Sequence, residues 1–157
     1  MNITFRDTVS YFDEKVIDDI IRSTDFFYDI EIPVAVGLVE AVVRDDENYK
    51  FLFVEIDGKT VAYTCYGSID GTIGGYDLYW IVVHNDYRGQ GIGKILLEET
   101  HLRATNDGAR YIIAETSSLE KYLPTCKFYE NNGYVNEGFI KDFYRIDDDK
   151  IFYVKRF

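Results

Sequence analysis

Apolar residues recur at helical spacing through much of the first 49 positions, and from Phe51 strand-like runs take over. Ile3–Phe5 predicts a short first strand. Ser10-Tyr-Phe-Asp13 resembles a helix start with acidic residues in its first turn, and Val16, Ile17, Ile20 and Ile21 follow three and four apart. A second helix is predicted after Pro33, with Ala35, Leu38, Val39, Val42 and Val43 on one side and Asp45-Asp46-Glu47-Asn48 ending it. Phe51–Ile56 is rich in aromatic and β-branched residues, Asp57-Gly58 is a hairpin turn, and Val61–Tyr66 returns. Gly71, Gly74 and Gly75 loosen the next connection before a strand over Tyr76–Val83. Gly91–Thr105 reads as a helix with Ile92, Ile95, Leu96 and Leu102 on one face and Gly108 beyond its end. A short strand over Tyr111–Glu115 precedes a helix that begins around Pro124 and runs to about Asn132, with Gly133 as its stop. Tyr134–Phe143 and Lys150–Val154 give two more strands around the turn-prone Asp147-Asp148-Asp149. The order βααβββαβαββ predicts an α+β or mixed-sheet α/β domain.

Neither a linker nor a repeat interrupts the 157 residues, so 1–157 is read as a single domain. A chain of this length buries about two thirds of its unfolded surface and needs no staple. Aromatics make up 17% of it, so much of the core and of any pocket wall is ring surface. Cys65 and Cys126 lie far apart without metal-ligand spacing, and His84 and His101 do not cluster with them, so neither a disulfide nor a metal site is expected. No leader-like start or membrane-length apolar run is present, which favours a soluble cytoplasmic protein.

The net charge of −11 is concentrated in the first third of the chain. Residues 1–57 carry 14 Asp or Glu against 5 Lys or Arg, whereas 58–157 carry 14 against 12. Such acidity repels polyanions and argues against a nucleic-acid partner. It either attracts a cationic ligand or serves as a solvated face.

The segment richest in chemistry is Val82-Val83-His84-Asn85-Asp86-Tyr87-Arg88-Gly89-Gln90-Gly91-Ile92-Gly93-Lys94, a strand, a turn and a glycine-rich helix start. Three glycines there disfavour a helix by about 1 kcal/mol each relative to Ala. They suit a place where a ligand approaches the backbone, and the helix start supplies free N–H groups and a positive dipole end for an anion. The Walker pattern fails, because Gly93-Lys94 is followed by Ile95 and Arg88 stands where its first Gly belongs. The dinucleotide pattern fails on spacing. A tight turn without a ligand is the plainer alternative.

Arg88-x-x-Gly91-x-Gly93 after a strand resembles the Gln/Arg-x-x-Gly-x-Gly/Ala motif of the GNAT superfamily of acetyl-CoA-dependent N-acetyltransferases. Phe128-Tyr129-Glu130-Asn131-Asn132-Gly133-Tyr134 is similar to that family's second signature. The likeness is good over residues 50–157 and loose before them. Asn85 departs from a frequent Pro, and Tyr122 stands where many relatives have Asn, within a Tyr122-Leu-Pro-Thr125 wording that looks like a distinct branch.

The resemblance implies a mixed, mostly antiparallel central sheet of roughly six to seven strands flanked by about four helices. It implies acetyl-CoA as co-substrate, with the backbone of Arg88, Gly89, Gln90, Gly91, Ile92, Gly93 and Lys94 on the pyrophosphate. Ile81, Val82 and Val83 would pair with the pantetheine arm, and one of their N–H groups would polarise the acetyl carbonyl. Thr125 and Phe128 would border the coenzyme. Tyr129 matches the tyrosine that protonates the departing thiolate, a phenol near 10 against a thiol near 8.5. Asp77, eleven residues before Arg88, matches a strand carboxylate that takes the amine proton in some relatives; being shorter than Glu, it needs a bridging water. His84 is placed on the wrong side as a base, and Cys126 as a covalent carrier is disfavoured.

The resulting expectation is direct acetyl transfer to a primary amine, a small cationic amine or an amino acid, with no membrane partner. The N-terminal acidity, placed on the acceptor side, motivates the cationic choice. A non-catalytic acyl-CoA-binding module and a protein N-terminal or lysine acetyltransferase are the alternatives. A homodimer is left open, with Ile151–Val154 serving an interface or the core.

Overall fold

Seven strands form one sheet in the order β1-β2-β3-β4-β5-β7-β6, antiparallel throughout except where β4 runs beside β5. The strands are β1 (Ile3–Arg6), β2 (Lys50–Ile56), β3 (Lys59–Ser68), β4 (Gly75–Val83), β5 (Tyr111–Ser117), β6 (Val135–Arg145) and β7 (Asp148–Arg156). The helices are α1 (Asp13–Ser23), α2 (Ile32–Val43), α3 (Ile92–Asn106) and α4 (Leu123–Asn131). The computed structural model describes residues 1–45 and 48–157; the part of the predicted helix end that falls on Asp46-Glu47 lies outside them.

The predicted order of elements is the observed one. Helices α1 and α2 press Ile17, Ile20, Ile21, Ala35 and Val39 onto Phe51, Phe53, Tyr63 and Val82 on one face of the sheet. On the other face α3 and α4 pack against Leu52, Val54, Ala62, Leu78, Ile112 and Ala114. Tyr153 and Val154 of β7 are buried, which assigns that strand to the core between β5 and β6.

The first turn of α1 carries Asp13 and Glu14 as expected, and the buried Asp13 carboxylate accepts from the Ser10 N–H at 2.9 Å and from Arg6 at 2.8 Å. Two local expectations are corrected. The buried stripe of α3 follows Ile92, Leu96, Thr100 and Ala104, four apart, so Leu102 falls off it and is exposed. Thr100 belongs there because its hydroxyl donates to the Leu96 carbonyl at 2.8 Å and lies 2.9 Å from the Thr64 hydroxyl. Finally, the last turn occupies Ile146-Asp147, and Asp148 already starts β7 with its carboxylate buried against the Ser117 hydroxyl.

What positions the site is a parting of two strands. β4 and β5 are paired only from Gly75 to Leu78 against Tyr111 to Ala114. Beyond that, β4 keeps its pairing with β3 through an irregularity between Cys65 and Tyr66, which sets Tyr79 outside the regular register. β5 keeps its pairing with β7 as far as Ser117. The two strands therefore diverge in mid-sheet, leaving the β5-facing edge of Tyr79–Val83 without a strand neighbour.

Candidate active site

The divergence opens a cleft of about 860 Å³. At one end lies the turn from Tyr87 to Lys94, in the middle the free edge of β4 and the start of α4, and at the far end a wall of aromatic and charged side chains.

The turn is built for backbone exposure. Gly89 and Gly91 have φ of 74° and 81°, a region that residues with a Cβ enter only at about 1–2 kcal/mol. Gly91 then stands at the N-terminus of the 15-residue α3 with no side chain capping it. The first N–H groups of that helix have no acceptor within it, and its dipole adds partial positive charge. Phe128 closes the inner side, since a Cβ on Gly93 would meet its ring at 3.5 Å. Lys94 is exposed and pairs with Glu98 at 3.8 Å.

In the middle of the cleft, Tyr129 is 5% exposed, its ring packed against Phe128, Tyr134 and Tyr153 with centroids 5.7, 5.1 and 5.8 Å away. Burial pushes its phenol above the ordinary value, and the nearby Cys126 adds to this. Its proton is therefore retained at all physiological pH.

Asp77 occupies the last paired stretch of β4, opposite Ile113. Burial, and after it the nearby Glu115, raise its carboxyl to about 6 against the opposing Tyr79 hydrogen bond and Lys150. Lys150 itself is bound to Glu115 at 2.7 Å. A carboxylate poised near 6 is mostly ionised at neutral pH yet basic enough to accept a proton.

Of the sequence-predicted residues, Asp77, Ile81, Val82, Val83, Arg88, Gly89, Gly91, Ile92, Gly93, Lys94, Thr125, Phe128 and Tyr129 all line this one cleft. Gln90 is the exception: it is exposed, and its amide turns back to donate to the Asp86 carbonyl at 3.3 Å. His84 lies outside the cleft, its Nδ1 accepting from the Asp86 N–H at 3.2 Å. Cys126 is buried as a free thiol.

The far wall went unread in the sequence. It comprises Phe26, Phe27, Tyr28 and Glu31 between α1 and α2, Trp80 on β4, Lys121 and Tyr122 before α4, and Tyr144, Arg145 and Asp148 at the β6–β7 turn. The run Phe26-Phe27-Tyr28, which breaks helical spacing between two helices, was the available signal. The placement of the N-terminal acidity is corrected here. Among the acids of residues 1–57 that are described, Glu31 alone borders the cleft. Asp13 is spent on Arg6, and Asp18 pairs with Arg22 on the exposed side of α1.

Uncapped helix N–H groups at one end, a retained phenol proton in the middle and a poised carboxylate beyond it suit a group transfer that consumes one proton and releases another. The family model of the acetyltransferase (GNAT) domain matches residues 47–136. A solved structure assigned to the GNAT acetyltransferases, from Desulfovibrio desulfuricans, is 38% identical and superposes with a TM-score of 0.95 over 99% of both chains. Two more distant structures share the fold. An aminoglycoside 6'-N-acetyltransferase complexed with coenzyme A has a TM-score of 0.78 at 19% identity, covering 99% of this chain and 97% of its own. The ribosomal-protein-S18-alanine N-acetyltransferase of Escherichia coli has a TM-score of 0.77 at 17% identity, covering 99% and 94%. No curated protein matches the chain in sequence.

Proposed function

The chain belongs to the GNAT acetyltransferase family, and from that premise we propose that it moves an acetyl group from acetyl-CoA to a primary amine by direct transfer in a ternary complex. The observation that carries this reading is the parting of β4 from β5 between the glycine turn and Asp77.

Acetyl-CoA fits the cleft on three counts. The N–H groups around Gly89–Lys94 suit a pyrophosphate, and because they are backbone dipoles they work in a protein of net charge −11. The free edge of β4 at Ile81–Val83 offers strand-like hydrogen bonds to the amides of the pantetheine arm. The space between the strands then brings the thioester beside Tyr129, and an N–H of β4 stabilises charge on its carbonyl oxygen.

The chain's own groups handle the protons. An amine with a pKa near 10.4 arrives protonated and must lose a proton before it attacks. Asp77, directly or through a water, accepts it. The nitrogen–carbon bond forms, the carbon–sulfur bond breaks, Tyr129 gives its proton to the leaving sulfur, and the nitrogen's second proton returns to the phenolate oxygen as the amide forms. Tyr129 holds its proton at neutral pH, so the proton is present when the thiolate departs; because burial makes the phenol a weaker acid than the thiol, the transfer is completed by the proton returned from the nitrogen.

The side chains of Phe26, Phe27, Tyr28, Glu31, Tyr144, Arg145 and Asp148 line the acceptor end of a cleft of about 860 Å³, a volume that suits a small-molecule amine. The test is thiol release from acetyl-CoA over a panel of primary amines, with the product identified by mass. Release coupled to a one-acetyl mass gain supports the reading. Stabilisation by coenzyme A with no release on any amine contradicts it.

A further inference from the structure

We propose that the acceptor is an amino acid, whose carboxylate is held by Lys121 while its amine is directed to Asp77; this rests on the acetyltransferase reading of the same cleft.

The argument begins with which charges at the acceptor end are already answered. Glu115 is bound to Lys150 at 2.7 Å. Asp148 receives the Ser117 hydroxyl and has Arg145 at 3.5 Å. Glu31 accepts the Tyr28 N–H at 2.7 Å. Two groups remain. Asp77, deep in the cleft, is the carboxylate assigned to the amine. Lys121, at the rim, has no carboxylate within 4.0 Å among the described residues.

Lys121 is also held in place. Its ammonium lies 4.9, 4.5 and 5.2 Å from the ring centroids of Phe26, Tyr28 and Tyr122, and it donates to the Phe26 carbonyl at 3.1 Å. Three rings and one carbonyl fix a side chain that ordinarily loses much rotamer freedom on binding. They answer one of its three donors and leave the others for an anion. An acceptor with further positive charges would meet this ammonium and the Arg145 guanidinium, which lies 4.9 Å from the Tyr28 ring on the same wall. A molecule with one amine and one carboxylate answers Asp77 and Lys121, and Glu31 keeps its backbone N–H. Phe27 and Trp80, with centroids 5.3 Å apart, give its side chain an aromatic floor. The acidity of the chain does not favour a polycation, because among the described acids of residues 1–57 all but Glu31 lie off the cleft.

The test compares kcat/KM for matched pairs that differ only in the carboxylate, phenylalanine with phenethylamine and leucine with 3-methylbutylamine, using wild type, Lys121→Met and Lys121→Arg. The wild type is expected to favour the amino acid by at least about tenfold, the range of one charge-assisted hydrogen bond. Lys121→Met should erase that preference through KM, the amino acids losing at least about tenfold more than the plain amines, and Lys121→Arg should keep part of it. A melting curve with coenzyme A confirms that each variant is folded; Lys121 is exposed, so both should be. Equal or better turnover of the plain amines, or an unchanged ratio in Lys121→Met, overturns the amino-acid assignment and leaves amine acetylation standing. Absence of turnover on both members of every pair overturns the amine-transfer reading and this proposal with it.

Discussion

Asp77 and Glu115 share one face of the sheet at the last point where β4 and β5 are paired, and Lys150 binds Glu115 at 2.7 Å. The register explains it: Asp77 is opposite Ile113, and Glu115 lies two residues further on, hence on the same side. Asp77 is thus left beside a second negative charge whose counter-ion it does not own. That arrangement, with burial, holds its carboxyl at about 6.

Removing the counter-ion should raise Asp77 further. In Lys150→Met, Glu115 loses its partner and the attraction of Lys150 for Asp77 also disappears. The acid limb of the kcat/KM profile is expected to move up by at least about 0.5 pH unit. A limb that stays in place contradicts the coupling.

Asp77 should also weaken the fold when ionised. Its carboxyl is raised from an ordinary 3.8 to about 6, so between those values the unfolded chain binds fewer protons than the folded one. Stability therefore falls as pH rises through that window. Asp77→Asn removes the penalty. Its stability should equal that of wild type near pH 4 and exceed it above pH 7, by at most about 1 kcal/mol after allowance for solvent, with the melting temperature rising accordingly. Melting curves at both pH values check this; a variant less stable at pH 7 than at pH 4, relative to wild type, contradicts it.

Tyr129→Phe keeps the ring packing with Phe128, Tyr134 and Tyr153 and removes the proton donor. Turnover is expected to fall about 10²-fold with the thermal shift by coenzyme A unchanged. Undiminished turnover removes Tyr129 from the proton path.

Gly91→Val places a β-branched residue at φ 81° at the start of α3. The strain should disorder the N–H groups of the turn and weaken coenzyme A binding by at least about tenfold. Isothermal titration measures it; unaltered affinity places the anion elsewhere.

Much of the fold was legible in the sequence because apolar spacing is a local signal. Where it misled, a polar group had replaced an apolar one in the core. Thr100 takes the stripe position of α3 because Thr64 and the Leu96 carbonyl satisfy it, and that made Leu102 look like the buried residue. Asp148 read as a turn residue because its partners, Ser117 and Arg145, belong to a neighbouring strand and to its own hairpin. The glycine turn stood out as a local motif, whereas Tyr129 and Asp77 were singled out only through the family resemblance, Tyr129 within its second signature and Asp77 eleven residues before Arg88. The acceptor wall was not legible. It joins the α1–α2 connection, the segment before α4 and the β6–β7 turn, and these meet only because β7 inserts between β5 and β6. No spacing within the chain announces that Lys121 stacks on Phe26.

The claim that Asp77 is the base for acetyl transfer in this cleft is tested most directly by the pH profile of kcat/KM for thiol release, compared between wild type and Asp77→Asn. The wild type should lose activity as pH falls through about 6, because the carboxylate must be ionised to accept the amine proton. Asp77→Asn should be slower by about 10²–10³-fold at neutral pH and should lack that limb. A variant that turns over at the wild-type rate with the same limb would show that another group takes the proton.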